Sequence, residues 1–268
     1  LGPTSFIEQS ETGGTVFSPL RPDQSPINLR GKDFSFNPRT FDLRAESGGA
    51  QNGMSFDSRG RKFVCSNSDH LQYIAYNQAF AGLNPHIRPR SARISIAEDG
   101  PAAPVYRISP DEPWRIVRTK WRVAGAVGGP VEGGGTPSGY FTGATGATLF
   151  TGDAWGAEFV DNAFIADCGS NLIHRKELFP KGHVLTARRP REEAKIEFVR
   201  STDNWFRPVQ FSNGPDGNLY VLDMYREVIE HPWSLPRGIK QFLDLNSGND
   251  RGRIYRIRAS GADMTQRA

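Results

Sequence analysis

Three segments of the chain share one layout, and that repetition constrains the fold more than any other feature. They are GMSFDSRGRKFVCSN (53–67), DAWGAEFVDNAFIADCGSNLIHR (153–175) and VQFSNGPDGNLYVLDMYR (209–226). In each, a turn residue (Gly60, Asp161 or Gly217) precedes a strand bearing an aromatic residue (Phe63, Phe164 or Tyr220). Six residues after the turn stands a polar residue: Ser66, Asp167 or Asp223. The second and third turns are 56 residues apart. That spacing is near the period of one four-stranded propeller blade, and radial arrays are the architecture such periods favour. The expected fold is all-β: a β-propeller, with Phe63, Phe164 and Tyr220 at equivalent strand positions facing the blade cores. An all-β sandwich is the alternative. The alternating segment GRIYRIR (252–258) would complete the last blade.

Composition agrees. Gly (29) and Pro (19) make up roughly 18% of 268 residues, against a usual ~12%, which favours many turns between short strands over a helix bundle. The formal net charge is +4, from 33 basic and 29 acidic residues that are interspersed along the chain. A nucleic-acid binder usually concentrates its charge on one face, so that class is set aside. No apolar run approaches the ~20 residues of a membrane span. Cys65 and Cys168 have no CxxC or CxxCH spacing, which excludes a local haem attachment or zinc knuckle. They fall in different repeats, too far apart for a disulfide, and are expected as free core thiols. No basic start or apolar core marks a signal peptide at the first residues.

Residues 1–30 read as an irregular lead-in, 31–258 as propeller blades and 259–268 as a tail. Arg115–Val123 alternates with period two: Val117, Thr119, Trp121 and Val123 against Arg118, Lys120 and Arg122. That pattern predicts a half-buried strand. Gly125–Gly139 is a long glycine-rich loop, and such loops are commonly functional or mobile. Weak helical pattern is confined to Ile239–Leu245, because Pro232 and Pro236 break anything longer before it. DLNSGND (244–250) lacks the order of an EF-hand and reads as a turn. TGATGAT (142–148) lacks the lysine of a phosphate loop and the spacing of a dinucleotide fingerprint, so NAD chemistry on a Rossmann domain is excluded.

The strings RAESGGAQNGMSFDSRGRKFVCSNSDH (44–70), RISPDEPWRIVRT (107–119), SGYFTGATGATLFTGDAW (138–155), STDNWFRPVQFSNGPDGNLYVLDMYREVIEHPWSLP (201–236) and SGNDRGRIYRI (247–257) carry a resemblance. They look like the planctomycete and verrucomicrobial "membrane-bound dehydrogenase" proteins. Those in turn resemble soluble glucose/sorbosone dehydrogenase propellers. The resemblance covers roughly residues 30–258. It implies a six-bladed propeller of which this chain holds the later blades, pyrroloquinoline quinone (PQQ) and calcium as cofactors, and a periplasmic or secreted setting. It also implies oxidation of a sugar or other alcohol, with electrons passed to a cytochrome c domain outside this chain. In the quinoprotein relatives a histidine base lies just ahead of a blade strand, whereas His70 follows its strand here. The alternative function is a non-catalytic propeller that binds a glycan or a protein partner.

The richest polar stretch is 201–236. Asp203, Trp205 and Arg207 precede one strand; Asp223, Tyr225 and Arg226 follow the next; Glu227, Glu230 and His231 continue the run. The two ends of a strand are opposite, so only one set is expected at a given channel mouth. Arg207 or Arg226 is either an anion clamp for a quinone or carboxylate, through bidentate hydrogen bonds, or a structural bridge between blades. Trp205 and Phe206 would wall the site, and Pro208 would fix the backbone behind it. Asp69 and His70 form a second candidate, a carboxylate that could orient an imidazole base. Adjacent residues on an extended chain point apart, so the pair would need a turn to meet. His174 is expected on a solvated strand face. His86 and His183 lie in turns without metal-ligand spacing. The metal ligands are left unassigned.

Overall fold

In the computed structural model, residues 14–260 are described except 82, 85 and 87. The expected tail at 259–268 lies almost wholly outside the described residues, as do residues 1–13 of the expected lead-in. The described part of that lead-in holds a small antiparallel pair, β1 (Thr15–Val16) with β2 (Ile27–Asn28), rather than irregular chain alone. A hairpin of β3 (Lys32–Phe36) and β4 (Leu43–Ser47) follows.

Three antiparallel meanders make up the rest, and each contains one repeat. The first runs β5 (Met54–Phe56), β6 (Lys62–Ser66), β7 (Asp69–Ile74) and, after the single helical turn α1 (Gln78–Ala81), β8 (Arg93–Ser95). After helix α2 (Pro113–Val123) comes the second: β9 (Ala144–Leu149), β10 (Ala163–Asp167), β11 (Leu172–Lys181) and β12 (Val184–Arg188), with β13 (Val199–Arg200) pairing β11. The third is β14 (Pro208–Asn213), β15 (Leu219–Asp223) and, after the short α3 (Arg237–Lys240), β16 (Arg253–Ile257). The fold is all-β and propeller-like.

The repeated layout has a backbone cause. Gly60, Asp161 and Gly217 take left-handed φ values of 73°, 61° and 75°. Each closes the turn from the first to the second strand of its meander, a position that favours glycine and tolerates aspartate. Phe63, Phe164 and Tyr220 then fall on those second strands, β6, β10 and β15. Phe63 and Phe164 are fully buried in two separate cores. Tyr220 is half-buried instead, because Leu219 and Val221 take the core-facing positions of β15. Its hydroxyl donates to Asp216. Cys65 and Cys168 are unpaired.

The first strands of the three meanders lie side by side. Asn52, just ahead of β5, donates its Nδ2 to Thr145 Oγ1 of β9 at 2.7 Å, and Thr145 donates to the Val209 carbonyl of β14 at 3.1 Å. Gly146 makes this approach possible. It sits in β9 at φ 64°, and a Cβ there would meet the Gln210 Cα and Val209 O at 2.8 Å.

Residues 115–123 are helical, not the expected strand. Pro113 pre-sets the first turn, and Trp114, Arg115 and Arg118 are buried at helical spacing. The period-two alternation was a coincidence of a segment whose apolar and basic residues also satisfy a period of 3.6. The Gly125–Gly139 segment is a loop with one 3-10 turn at Gly133–Gly135. Residues 245–250 form turns, as expected.

Candidate functional site

A cleft of about 760 Å³ opens where the first strands meet, and α2 lies along it. Its floor is the Asn52–Thr145–Val209 chain. Further walls come from Gln51, Asn67 and Gln210, from the turn after β10 (Cys168, Gly169), and from Ile229–His231 and Ser234. Arg115, Arg118 and Arg122 project from one face of α2, three and four residues apart. Pro130 and Glu132 of the glycine-rich loop close the far side. Gly129 of that loop packs on Arg122 so tightly that a Cβ would come within 2.6 Å of Nε.

The acids of the cleft are engaged by arginines. Glu230 pairs with Arg118 Nη1 at 2.6 Å, and Glu132 stands 3.9 Å from Arg122. Burial opposes the Glu230 carboxylate, but Arg118 outweighs it and holds its carboxyl below the ordinary range. Burial, together with repulsion from Arg118, lowers the pKa of Arg122. His231 lines the cleft and accepts the Trp233 N–H at Nδ1, so its Nε2 carries a hydrogen and acts as a donor. Trp233 stands between His231 and Ser234 in the turn Pro232–Ser234, with 92% of its surface exposed.

The 201–236 stretch does assemble, and both flanks meet at one end, contrary to expectation. β14 and β15 are an antiparallel hairpin, so the start of one and the end of the other coincide, with Pro208 opposite Asp223. Asp223 accepts the Arg207 N–H at 2.8 Å, the Arg226 N–H donates to the Trp205 carbonyl, and the Tyr225 hydroxyl donates to Asp203. Arg226 donates its Nη1 to the Asn246 carbonyl. Of the residues singled out in this stretch, Glu230 and His231 line the cleft, while Asp203, Trp205, Asp223 and Arg226 bond within the hairpin end and its neighbouring loop.

Arg207 is completely buried and does not line the cleft. Its Nε donates to Arg226 O, Nη1 to Glu112 and Cys168 O, and Nη2 to Glu112 and Glu227 O. These bonds use all five of its N–H groups, so the anion-clamp reading gives way to the bridging one. Glu112, ahead of α2, is shared with Arg115 at 3.3 Å and Arg107 at 3.6 Å. Burial opposes its carboxylate, yet Arg115, Arg207 and Arg107 together hold its carboxyl below the usual range. The cluster ties α2 to the third meander.

Asp69 and His70 do not form a base pair. They point to opposite faces of β7: Asp69 accepts from Gln72 and Ser95, while His70 is buried, its Nδ1 bonded to the Pro101 carbonyl at 2.6 Å. His70 stacks on Phe141 at 4.3 Å and meets His174 edge-on at 5.5 Å. Burial, with the nearby His174 and Lys176, pushes its pKa from 6.5 down to about 3. His174 is wholly buried rather than solvated, its Nδ1 2.6 Å from Glu197. The strand alternation hid this, because the surface facing β11 comes from segments far away in sequence. The sequence reading also missed the arginine row, whose signal was the 115/118/122 spacing.

The chain thus forms a propeller-like domain with a polar, arginine-flanked cleft. Residues 5–261 match the family described as Domain of unknown function (DUF7133), and the chain belongs to that family. Comparison with curated proteins finds no match. Among solved structures, the chain is similar to one titled "Crystal structure of glucose dehydrogenase". The identity is 13% over 72% of this chain and 69% of that one, with a TM-score of 0.28. Among the described residues, no helix is long and apolar enough to cross a membrane.

Proposed function

We propose that the protein is a binding propeller whose cleft holds a saccharide. The observation that carries this reading is Trp233, 92% exposed and set in the chain between His231 and Ser234, which line a cleft shared with Gln51, Asn52, Asn67 and Gln210. Sugar hydroxyls both donate and accept, and an amide offers both functions on one planar group. An exposed aromatic face beside a polar cleft suits the apolar face of a pyranose ring, and exposed apolar surface of this kind marks ligand sites. A panel of oligosaccharides, titrated while tryptophan fluorescence is followed, tests it. Binding should quench the signal, and Trp233→Ala should weaken it roughly tenfold without moving the melting temperature. No binding across the panel, or unchanged affinity in the variant, defeats the reading.

The arginine row favours a second reading, the quinoprotein oxidoreductase implied by the resemblance. PQQ is a planar tricarboxylate, and Arg115, Arg118 and Arg122 are fitting partners for its carboxylates. When bound, the quinone would accept a hydride from an alcohol, and electrons would pass to a cytochrome c partner. Calcium fits less well, since Glu132 and Glu230 are already engaged by arginines. The binding reading ranks first because His231, the imidazole among the lining residues, turns its Nδ1 to the Trp233 N–H. Retention of quinone absorbance after desalting, with dye reduction on adding sugars, would reverse that ranking.

A further inference from the structure

The three arginines of α2 differ from Arg207 in one respect. Arg207 has a protein partner for every N–H, whereas Arg115, Arg118 and Arg122 each keep a buried Nε without a hydrogen bond. Buried donors are ordinarily satisfied, and an orphaned one is costly. At Arg115, the Glu112 carboxylate lies 3.3 Å from Nε but off the line of the N–H. Arg122 turns its Nε toward the Gly129 backbone, and its Nη groups already meet the Pro130 and Ser234 carbonyls. Arg118 is buried in the cleft wall. Glu230 and Ser234 hold its Nη1, while its Nε lacks a partner. Its side chain lies over Trp114, 5.0 Å from the ring centroid, which fixes the plane of the guanidinium.

Charge points the same way. Of the side chains lining the cleft, three are arginines and two are acids, and Arg118 and Arg122 stand as like charges at i and i+4. Like charges at that spacing disfavour a helix; Glu230 and Glu132 offset two of the three, and the lining keeps an excess of one positive charge. The Nε–Nη2 edge of a guanidinium matches the two oxygens of a carboxylate.

We propose that the saccharide taken by the cleft is acidic, a uronate-bearing oligosaccharide whose carboxylate is read by Arg118 with Arg122 beside it. The inference rests on the saccharide reading above and adds the charge of the ligand to it. Arg118 selects the ligand, and Glu230 competes with the ligand for the same guanidinium.

The test uses oligosaccharides of galacturonic, glucuronic and mannuronic acid, each paired with its neutral methyl ester, titrated into the full chain by calorimetry. At least one acid should bind tenfold or more tightly than its ester, and the difference should shrink as salt rises. Arg118→Gln should bring acid and ester to equal affinity. Glu230→Gln should tighten the acid several-fold and widen its preference over the ester, which a merely structural Glu230 would not do. If Arg118→Gln does not fold, the Glu230→Gln result decides alone, and weaker or unchanged acid binding overturns the proposal. Equal binding of acid and ester by the unaltered protein overturns the acidic-ligand inference and leaves the saccharide reading standing. Absence of binding by either form overturns both.

Discussion

Arg207 was visible in the sequence as a residue worth singling out, and the structure explains the prominence differently. Its neighbours Asp203, Trp205, Asp223 and Arg226 do gather around one end of a hairpin, yet they bond within that end and its neighbouring loop. Position in a polar run was legible; whether a side chain faces a ligand or a carbonyl was not. That outcome depends on Glu112, 95 residues away, entering the same volume. A lysine at 207 keeps the charge but offers three donors where five are used. Arg207→Lys should lower stability by about 2–4 kcal/mol, with ligand affinity of the folded protein unchanged, as read by denaturant melts and titration on one sample. An unchanged midpoint would mean that the guanidinium network contributes nothing net.

The three second strands and the turns that start them could be read directly, because a left-handed turn residue and an aromatic three positions later are local signals. Helix α2 could not be read as such, because nine residues with alternating side chains satisfy two periods at once. What settles the matter is what α2 packs on: Trp114 joins Val228, Leu235 and Ile239 in a small core formed by a segment over a hundred residues further on. The contact between β9 and β14 offers a sharper test of how the meanders are joined. Gly146→Ala places a methyl against the backbone of Val209 and Gln210 in a conformation already unfavourable to alanine. It should cost about 2–4 kcal/mol. Gly60→Ala, in open space at a similar φ, should cost only about 1 kcal/mol. Equal losses in the two variants would show that β14 yields readily.

At the scale of the whole molecule, acid should loosen the fold through its buried imidazoles. His70 is packed between Phe141 and His174, near the Lys176–Asp99 pair, and stays neutral when folded. Its folded pKa of about 3 lies below the 6.5 of an unfolded histidine, so below pH 6.5 only the unfolded chain takes up the proton. Stability from this residue is therefore complete above 6.5 and falls as pH drops toward 3. At pH 5 the loss is about 2 kcal/mol. Burial lowers the His174 pKa as well, which acts in the same direction. Burial raises the Glu197 pKa, which acts in the opposite one. The comparison with His70→Gln isolates the effect. The variant should be less stable at pH 8 but should lose less between pH 7 and pH 5, and parallel slopes would contradict the assignment.

The bridge from Arg207 to Glu112 also has a kinetic consequence. Its partners are separated by 95 residues, and Arg118 and Glu230 by 112, so both pairs close only after two meanders are in place. Loop closure over such distances comes late on the path to the native state. Substitutions in this cluster should then accelerate unfolding and leave the refolding rate nearly untouched. The polar plug beneath the cleft would act as a latch that governs how long the folded molecule lasts, with little influence on how fast it forms.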